Sequence, residues 1–387
     1  MHHAVLPRCV SALLIAGAVA CGDAAAPAAP AAITLSDSAA AALPTFYVTD
    51  GARLCEADGR TLCPVRDAFA ARLDARRVAL WQAGGLAAWF TLGDSTLTQI
   101  GQFKSAEADG YQTVTGIAAD GDGFRVFEAS FEGYRLLTFS ATGALESAMA
   151  PALPEGTTTL GFVGNVPMMQ VVRGRGDSVP ARLQLIRLRE AGDSAGTVVL
   201  DAPIPWMRAI GTRIRAVPPL FAAAPVFTFD PALGLVWSPG DTGRIERRDE
   251  RGRVLWTVSG LTGPAVDSGD VAARRRELDR SLAMPLTDEE FDRMSARVAD
   301  RHGAVSGLLF GPGAQVLVAR SVVPVRDSVE WLRLAADGTP IGQVRLHKAV
   351  RVLLDEGDSL LVHRPTEGET TEVRWIRLAL PSTAPAN

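Results

Sequence analysis

The chain has 387 residues, of which 47% are hydrophobic and 21% are charged, a composition typical of folded proteins that excludes a largely disordered chain. The length exceeds that of a single small core and suits either two ordinary domains or one repeat architecture. The formal net charge of −4 provides no strongly basic surface, so we expect no nucleic-acid partner.

Residues 1–20 have the features of a secretory signal peptide. The apolar run Val10–Ala20 has the length of a signal core and is too short to span a bilayer. It ends in Ala18-Val19-Ala20 before Cys21, which resembles the lipobox of bacterial lipoproteins, where the cysteine becomes the lipidated N-terminus. The alternative is ordinary cleavage after Ala20, which would leave a free thiol on Cys21, an odd residue at the start of an exported protein.

We therefore expect an exported lipoprotein, anchored through Cys21 to a membrane of the bacterial cell envelope, at the outer membrane or the periplasmic face. Residues 21–43 are expected to form the tether, because Gly22–Ala32 is a low-complexity Ala/Pro run that cannot bury a core.

Cys55 and Cys63 are the cysteines that remain after the signal peptide and Cys21. An Asp58-Gly59 turn lies between them and would bring the ends of a hairpin together. In an exported protein this spacing favours a disulfide. Zinc is the competing reading, but two cysteines with no nearby histidine cannot fill four tetrahedral positions.

Beyond the tether the dominant pattern is a repeat of two apolar runs joined by a turn that contains Asp or Gly. Four clear copies and two weaker ones occur: Ile117–Phe127, Phe227–Trp237, Leu308–Val318, Val352–Val362, Arg72–Trp81 and Leu160–Val171. Successive turns are 44 or 46 residues apart in three cases, which matches a four-stranded propeller blade. The two longer gaps coincide with the Pro-rich Asp201–Leu220 and the helical Leu261–Gly303.

A second pair of runs with a glycine turn follows several of these units, around Gly143, Gly192, Gly252 and Gly338. Each unit is therefore expected to contain four antiparallel strands. The fold class is all-β, a six-bladed β-propeller over residues 44–381 with a short tail at 382–387. The last unit lacks a fourth strand, which Thr45–Thr49, or alternatively Ala32–Leu35, would supply.

A helical insertion is predicted at about residues 266–303, between blades 4 and 5. Asp270–Ala283 is amphipathic, and a second helix begins at the capping box formed by Thr287 and Glu290. Its stripe of Phe291, Met294 and Val298 needs a partner. That partner is either the surface of the propeller itself or another protein.

The repeats, the glycine turns and the insertion resemble those of bacterial six-bladed, NHL-like β-propeller proteins, which are often exported lipoproteins. The resemblance extends over roughly Leu73–Pro381. It implies the architecture and says little about activity, because the fold supports many functions.

The sequence offers few candidates for chemistry. Asp120-Gly121-Asp122-Gly123 resembles the start of a calcium loop, but Phe131 occupies the position of the bidentate glutamate, so the string is interpreted as a turn. His302 is expected to end a helix, and His347 and His363 are expected on the last blade without metal-binding spacing. The 37 arginines are scattered among acids, which favours codon usage over a recognition surface.

We expect no catalytic residue, metal or cofactor, and interpret the chain as a binding or scaffold module for a protein or small-molecule ligand. The ligand would lie at the insertion face or the central channel, with Trp206 and Arg208 of the Pro-rich insertion as candidate contacts. The alternative is a propeller hydrolase or lactonase with a metal or polar site at the channel.

Overall fold

The structure, a computed structural model, describes residues 29–56, 63–64, 68–82, 86–92, 97–104, 113–130, 133–154, 157–163, 165–173, 181–191, 195–204, 208–210, 215–217, 220–281, 286–295, 298–321, 323–366 and 370–380. Strands predominate over these ranges. The first elements are β1 (Ala31–Thr34), α1 (Asp37–Ala41) and β2 (Tyr47–Glu56).

Most later strands form antiparallel sheets in which neighbours in the sequence are neighbours in space. The first three sheets are β3–β6 (Ala68–Arg72, Arg77–Gln82, Leu86–Leu92 and Leu97–Lys104), β7–β10 (Thr113–Asp120, Gly123–Ser130, Gly133–Phe139 and Leu145–Met149) and β11–β14 (Thr157–Val163, Val166–Arg173, Arg182–Leu188 and Gly196–Pro203). A separate two-stranded sheet follows, with β15 (Arg208–Ile210) and β16 (Arg215–Val217).

The second half of the chain continues the pattern. The strands are β17–β20 (Val226–Asp230, Gly234–Ser238, Ile245–Arg248 and Val254–Ser259), β21–β24 (Val305–Phe310, Val316–Arg320, Ser328–Leu334 and Pro340–His347) and β25–β27 (Arg351–Asp355, Ser359–Pro365 and Thr371–Ala379). Between β20 and β21 lie α2 (Ser268–Ser281) and α3 (Asp288–Ser295).

The first strands of successive sheets contact one another around a closed ring, which ends with β25 against β3. Each pair of neighbouring sheets shares its own cluster of buried apolar side chains, so the core is divided among the sheet interfaces. Radially arranged four-stranded sheets around an axis define a β-propeller. The chain is therefore an all-β protein with a β-propeller fold.

The expectation of six four-stranded blades needs correction. Five of the described sheets have four strands, whereas the sheet of β17–β20 has a fifth strand, β1, which pairs with β20 in parallel. The sequence pattern did not show this addition, because Ala31–Thr34 reads AAIT and continues an Ala/Pro run without alternation.

The N-terminal segment departs from the predicted tether of residues 21–43. After β1, the Ser36 hydroxyl caps α1, and Leu35 and Ala40 are buried in the cluster between the sheets of β17–β20 and β21–β24. The side-chain amide of Gln343 in β24 then donates to the carbonyl oxygens of Ala41 and Leu43. Residues 31–43 are therefore part of the folded domain, because their few apolar side chains find a place at a blade interface.

The segment continues into β2, which pairs with β27 in antiparallel register from Tyr47–Ala379 to Glu56–Glu372. The candidate Thr45–Thr49 thus lies at the start of the strand that completes the last sheet. The other candidate, Ala32–Leu35, lies in and beside β1 on a different sheet.

The up-and-down strand order gives the propeller two unlike faces. Turns between first and second strands, and between third and fourth strands, lie at one end of each sheet; we name this end the turn face. It includes the turns at Asp120, Gly252 and Gly338, the last two with positive φ angles of 80° and 87°. The connections that leave each fourth strand lie at the opposite end, the insertion face, which carries the described residues within 204–225 and 261–304.

Arginine side chains join neighbouring sheets at the turn face. Arg77 donates to the carbonyl oxygens of Gly121 and Asp122 in the next sheet. Arg247 of β19 donates to the carbonyl oxygen of Ala336 at 2.8 Å, and Arg333 of β23 donates to the carbonyl oxygen of Gly357. Each guanidinium thus satisfies turn carbonyls that the fold would otherwise leave without donors.

The remaining sheet interfaces have an arginine over a phenylalanine ring. The pairs, with the distance from guanidinium carbon to ring centre, are Arg125 over Phe162 at 5.6 Å, Arg187 over Phe229 at 5.9 Å and Arg351 over Phe69 at 4.3 Å. These distances are within the range of cation–π attraction. The arginine content that sequence reasoning attributed to codon usage therefore includes residues with a structural role at the sheet interfaces.

Candidate functional site at the insertion face

At the base of the helical insertion, residues 263–266 pair with residues 300–302. We name this pairing the clamp. The N–H of Val266 donates to the backbone carbonyl oxygen of Asp300 at 3.0 Å, and the N–H of His302 donates to that of Pro264 at 2.9 Å. Gly263 lies where the two segments approach most closely, and a Cβ atom there would overlap the carbonyl oxygen of His302. The clamp fixes where the insertion leaves and rejoins the propeller.

A buried His–Asp pair ties α2 to this clamp. Asp267 and Asp270 exchange backbone-to-carboxylate hydrogen bonds at the first turn of α2, an acidic form of the capping box. His302 Nε2 lies 2.9 Å from Asp270 Oδ2, and both side chains are almost fully buried. Burial acts to raise the pKa of Asp270, but the hydrogen bonds from His302 and Asp267 outweigh it, so the pKa lies below the usual value.

His302 was predicted to end a helix, and the structure corrects this. Helix α3 ends at Ser295, and His302 lies beyond it in the clamp, with its ring edge-on to Phe221. Sequence reasoning missed the pair because its members are 32 residues apart.

The apolar stripe of α3 packs inside the molecule. Phe291 and Met294 form a buried cluster with Leu286 and with Leu220 of the other insertion. The capping box is present, since Thr287 Oγ1 accepts from the Glu290 N–H and the Glu290 carboxylate accepts from the Thr287 N–H. The stripe was predicted to pack on the surface of the propeller or on another protein; in the structure it packs on Leu220 of the other insertion.

A cavity of about 450 Å³ opens beside the clamp, within the size range of small-ligand sites. Three parts of the chain contribute to its wall: Asp37 of the N-terminal segment, the clamp, and the insertion-face end of the sheet β21–β24. The lining residues are Asp37, Thr262, Gly263, Pro264, Arg301, Arg320, Ser321, Arg326, Ser328, Glu330 and Arg345.

Two of the four cavity arginines have carboxylate partners. Arg320 lies 2.7 Å from Asp37, and Arg345 lies 2.8 Å from Glu330. Asp37 also accepts hydrogen bonds from the backbone N–H and the hydroxyl of Thr262. Burial acts to raise the pKa of Asp37, but the hydrogen bonds from Thr262 and the charge of Arg320 hold it below the usual value. The carboxylate of Asp37 therefore stays ionised at neutral pH.

The other two cavity arginines lack a carboxylate partner within the described part of the chain. Arg301 donates to the carbonyl oxygen of Gly263 at 2.9 Å, which leaves further guanidinium donors. Arg326 is exposed, and no described residue forms a hydrogen bond or an ion pair with its side chain. Four guanidinium groups against two carboxylates give the wall a net charge of +2.

A second, more open cavity of about 740 Å³ lies beside β2 and β26. Its charges are paired: Arg364 lies 2.9 Å from both Asp50 and Glu372, and Arg53 pairs with Glu56. Because its cations are already neutralised, this cavity offers less to an anion than the first.

The predicted site residues are distributed as follows. Cys21 and Trp206 lie outside the described residues, and Arg208 is described only as backbone in β15. Cys55 and Cys63 are joined by a disulfide with a Cα–Cα distance of 5.5 Å. His347 ends β24, whereas His363 lies buried in β26 of the next sheet, with Nε2 3.1 Å from the carbonyl oxygen of Pro64.

The string Asp120–Gly123 forms the turn between β7 and β8, as the pattern predicted. In the described part of the chain, no group of three or more His, Cys, Asp or Glu side chains is arranged to hold a metal ion. No described helix has the length and apolar character needed to cross a membrane.

Comparisons with known proteins give likenesses of fold only. No family model and no curated protein matches the chain. A protein of unknown function from Dyadobacter fermentans superposes with a TM-score of 0.46 at 9% identity, covering 87% of this chain and 100% of that one. A protein of unknown function from Bacteroides caccae gives 0.37 at 8%, covering 78% and 94%. The WD40 β-propeller domain of Doa1 gives 0.38 at 10%, covering 86% and 97%.

Proposed function

We propose that this protein is a lipoprotein of the bacterial cell envelope whose β-propeller is a binding module, with its ligand in the cavity between Asp37, the clamp and the sheet β21–β24. The observation that carries the proposal is the construction of this cavity from three separate parts of the chain. Its unpaired arginines lie on the face where both insertions emerge. Insertions on one face of a repeat protein are often its binding surface.

We propose further that the propeller has six blades and is NHL-like, as its repeats suggest. The sheet of β17–β20 contains the same four antiparallel strands as the others and contacts both neighbours through its first strand, which supports counting it as a blade with β1 as an addition.

The direction of β1 supports an orientation relative to the membrane. It runs parallel to β20, with Ala31 opposite Trp256 and Thr34 opposite Ser259, so the chain arrives from the turn-face side. Cys21 and Ala31 are ten positions apart in the sequence, and an extended chain of that length spans at most roughly 35 Å. An anchor on Cys21 would therefore hold the turn face toward the membrane and leave the insertion face accessible.

The anchor is tested by Cys21→Ser in the full chain. We expect the variant to leave the membrane fraction, whereas Cys9→Ser, in the signal region, keeps the protein there. Fractionation followed by immunoblotting measures both. A Cys21→Ser protein that stays membrane-bound after a salt wash would refute lipid anchoring.

The binding site is tested by filling the cavity with Ser328→Trp. Compounds extracted from the purified full chain are identified by mass spectrometry and compared between variants. We expect a compound at near-stoichiometric amount in the natural protein and its loss in Ser328→Trp. Thr142→Trp, an exposed position on the turn face, is the matched control and should retain the compound. Equal retention of the compound by Ser328→Trp, or a natural protein that yields no compound and binds none that is added, would contradict a ligand in this cavity.

A further inference from the structure

The arrangement of charges in the cavity specifies a class of ligand. Arg320 and Arg345 are each paired with a carboxylate, and Arg301 and Arg326 are not. Guanidinium groups match the oxygens of carboxylates and phosphates through two parallel hydrogen bonds. The unpaired arginines therefore leave room for two further negative charges.

Of the two carboxylates in the cavity wall, Asp37 shows how an acidic group is held there. The carboxylate of Asp37 accepts hydrogen bonds from the guanidinium of Arg320 at 2.7 Å, from the backbone N–H of Thr262 at 3.1 Å and from the Thr262 hydroxyl. Hydrogen bonds from a guanidinium and from a backbone N–H to a carboxylate are charge-assisted and therefore stronger than bonds between neutral groups. Asp37 thus shows, within this molecule, how the cavity accommodates a carboxylate.

Backbone hydrogen bonds fix where the chain presents Arg301 and Arg326. Arg301 is part of the clamp, through its bridge with Ala265 and its bond to Gly263. Arg326 ends a turn in which its own N–H donates to Val323 at 3.0 Å. The ammonium group of Lys348 donates to the carbonyl oxygen of Pro324 in the same loop at 2.8 Å and lies 3.7 Å from the carboxylate of Asp327, so this pair adds no net charge beside the cavity. In addition, Nε of Arg320 is buried without a hydrogen-bond partner among the described residues.

We propose that this cavity binds a small dianion, a dicarboxylate or a phosphate group, with Arg301 and Arg326 as the residues that receive its charges. The inference rests on the proposed binding function and specifies the chemical class of the ligand. The two ligand chemistries share paired anionic oxygens, and titration separates them.

The test is isothermal titration of the full chain in detergent with succinate, with inorganic phosphate and with succinamide, a neutral analogue of succinate. We expect binding of succinate or phosphate, weakening as salt concentration rises, and no binding of succinamide. Arg326→Gln should weaken binding about tenfold or more, because a charge-assisted hydrogen bond is lost. The matched control is Arg251→Gln, an exposed arginine on the turn face, which should leave the affinity unchanged.

Asp37→Asn gives a second, opposite effect. It removes one negative charge from the cavity and frees Arg320, so we expect dianion affinity to rise a few-fold while Arg326→Gln lowers it. Circular dichroism and thermal unfolding confirm that each variant is folded.

The outcomes separate the two proposals. A neutral compound that is extracted from the natural protein and lost in Ser328→Trp would overturn the dianion inference and leave the binding function standing. Succinate or phosphate binding that Arg301→Gln and Arg326→Gln leave unchanged would also overturn the inference. A cavity that holds neither an extracted compound nor an added dianion would overturn both.

Discussion

The charged residues on the two faces of the propeller differ in how fully their hydrogen-bonding groups are used. At the turn face, aspartates accept hydrogen bonds from the backbone of the turns they begin: Asp74, Asp230, Asp249, Asp337 and Asp355. At the insertion face, the cavity arginines exceed the carboxylates around them. This difference shows that a charged residue indicates a binding site only where some of its hydrogen-bond donors or acceptors have no partner within the protein.

Arginine itself shows this difference between the faces. Arg333 at the turn face is 5% exposed, donates to Gly357 and lies 2.6 Å from Asp355, whose side chain is fully buried. Arg345 at the insertion face pairs with Glu330 at a similar distance, yet its side chain is 59% exposed. The first arginine holds two sheets together inside the protein, and the second forms an ion pair at the surface.

The largest expected effect comes from Arg333→Met, which would leave Asp355 buried without its partner. Removing one member of a buried ion pair costs about 3–5 kcal/mol. In the natural protein, burial raises the pKa of Asp355 even though the charge of Arg333 acts to lower it. The loss of stability in Arg333→Met should therefore be smaller at low pH, where the carboxyl is protonated and no unpaired charge is buried. Denaturant unfolding at pH 7 and pH 5 measures both effects.

Two variants accompany this measurement. Arg345→Met, the matched change at the insertion face, should cost at most about 1 kcal/mol, because exposed ion pairs contribute little. Arg333→Met combined with Asp355→Asn should recover part of the loss, since the amide still accepts from the Gly357 N–H without a buried charge. Equal losses for Arg333→Met and Arg345→Met would remove the distinction between the faces.

A smaller effect is expected at the base of the insertion when the pH falls. The pKa of Asp270 is depressed in the folded state, so its stabilising contribution is present above the usual aspartate pKa and is lost as pH falls through the lower, folded value. The insertion should therefore open below about pH 4, the usual aspartate range. Hydrogen exchange over residues 264–302 measures this opening.

The control for the acid effect is Asp270→Asn. It should open the insertion already at neutral pH, by about 1–3 kcal/mol, because a buried hydrogen-bond partner of His302 is weakened. The remaining acid response over residues 264–302 should then be smaller than in the natural protein. Strands of the sheet β7–β10 should exchange alike in both proteins; an acid response of that sheet equal to that of the insertion would refute a local switch.

Much of the fold was predictable because each blade repeats a local pattern. Every predicted pair of runs, from Arg72–Trp81 to Val352–Val362, lies in the first two strands of a sheet. Turn glycines such as Gly143 and Gly338 have positive φ angles, as hairpin turns require. Period and turn chemistry are properties of short stretches, so one sequence is enough to show them.

The strand β1 and the cavity were not predictable in the same way. Ala31–Thr34 has no strand pattern of its own and pairs because an exposed edge of β20 accepts it. Arg301, Arg320, Arg326 and Arg345 belong to loops and strand ends whose proximity depends on the folded sheet. The local signal in the sequence was the pair of insertions, which indicated the face where the cavity lies but not the residues that line it.

The smallest expected effect concerns the capping box of α3. Thr287→Ala removes the hydroxyl that accepts from the Glu290 N–H at 3.2 Å, and loss of such a cap costs about 1 kcal/mol. Because α3 packs on Leu220 and lies away from the sheet interfaces, we expect faster hydrogen exchange in residues 288–295 and little change in the strands. Thr287→Ser, which keeps the hydroxyl, should restore protection. Destabilisation of the whole domain by Thr287→Ala would mean that the insertion is a structural part of the propeller, as the turn face is, rather than a separately anchored binding element.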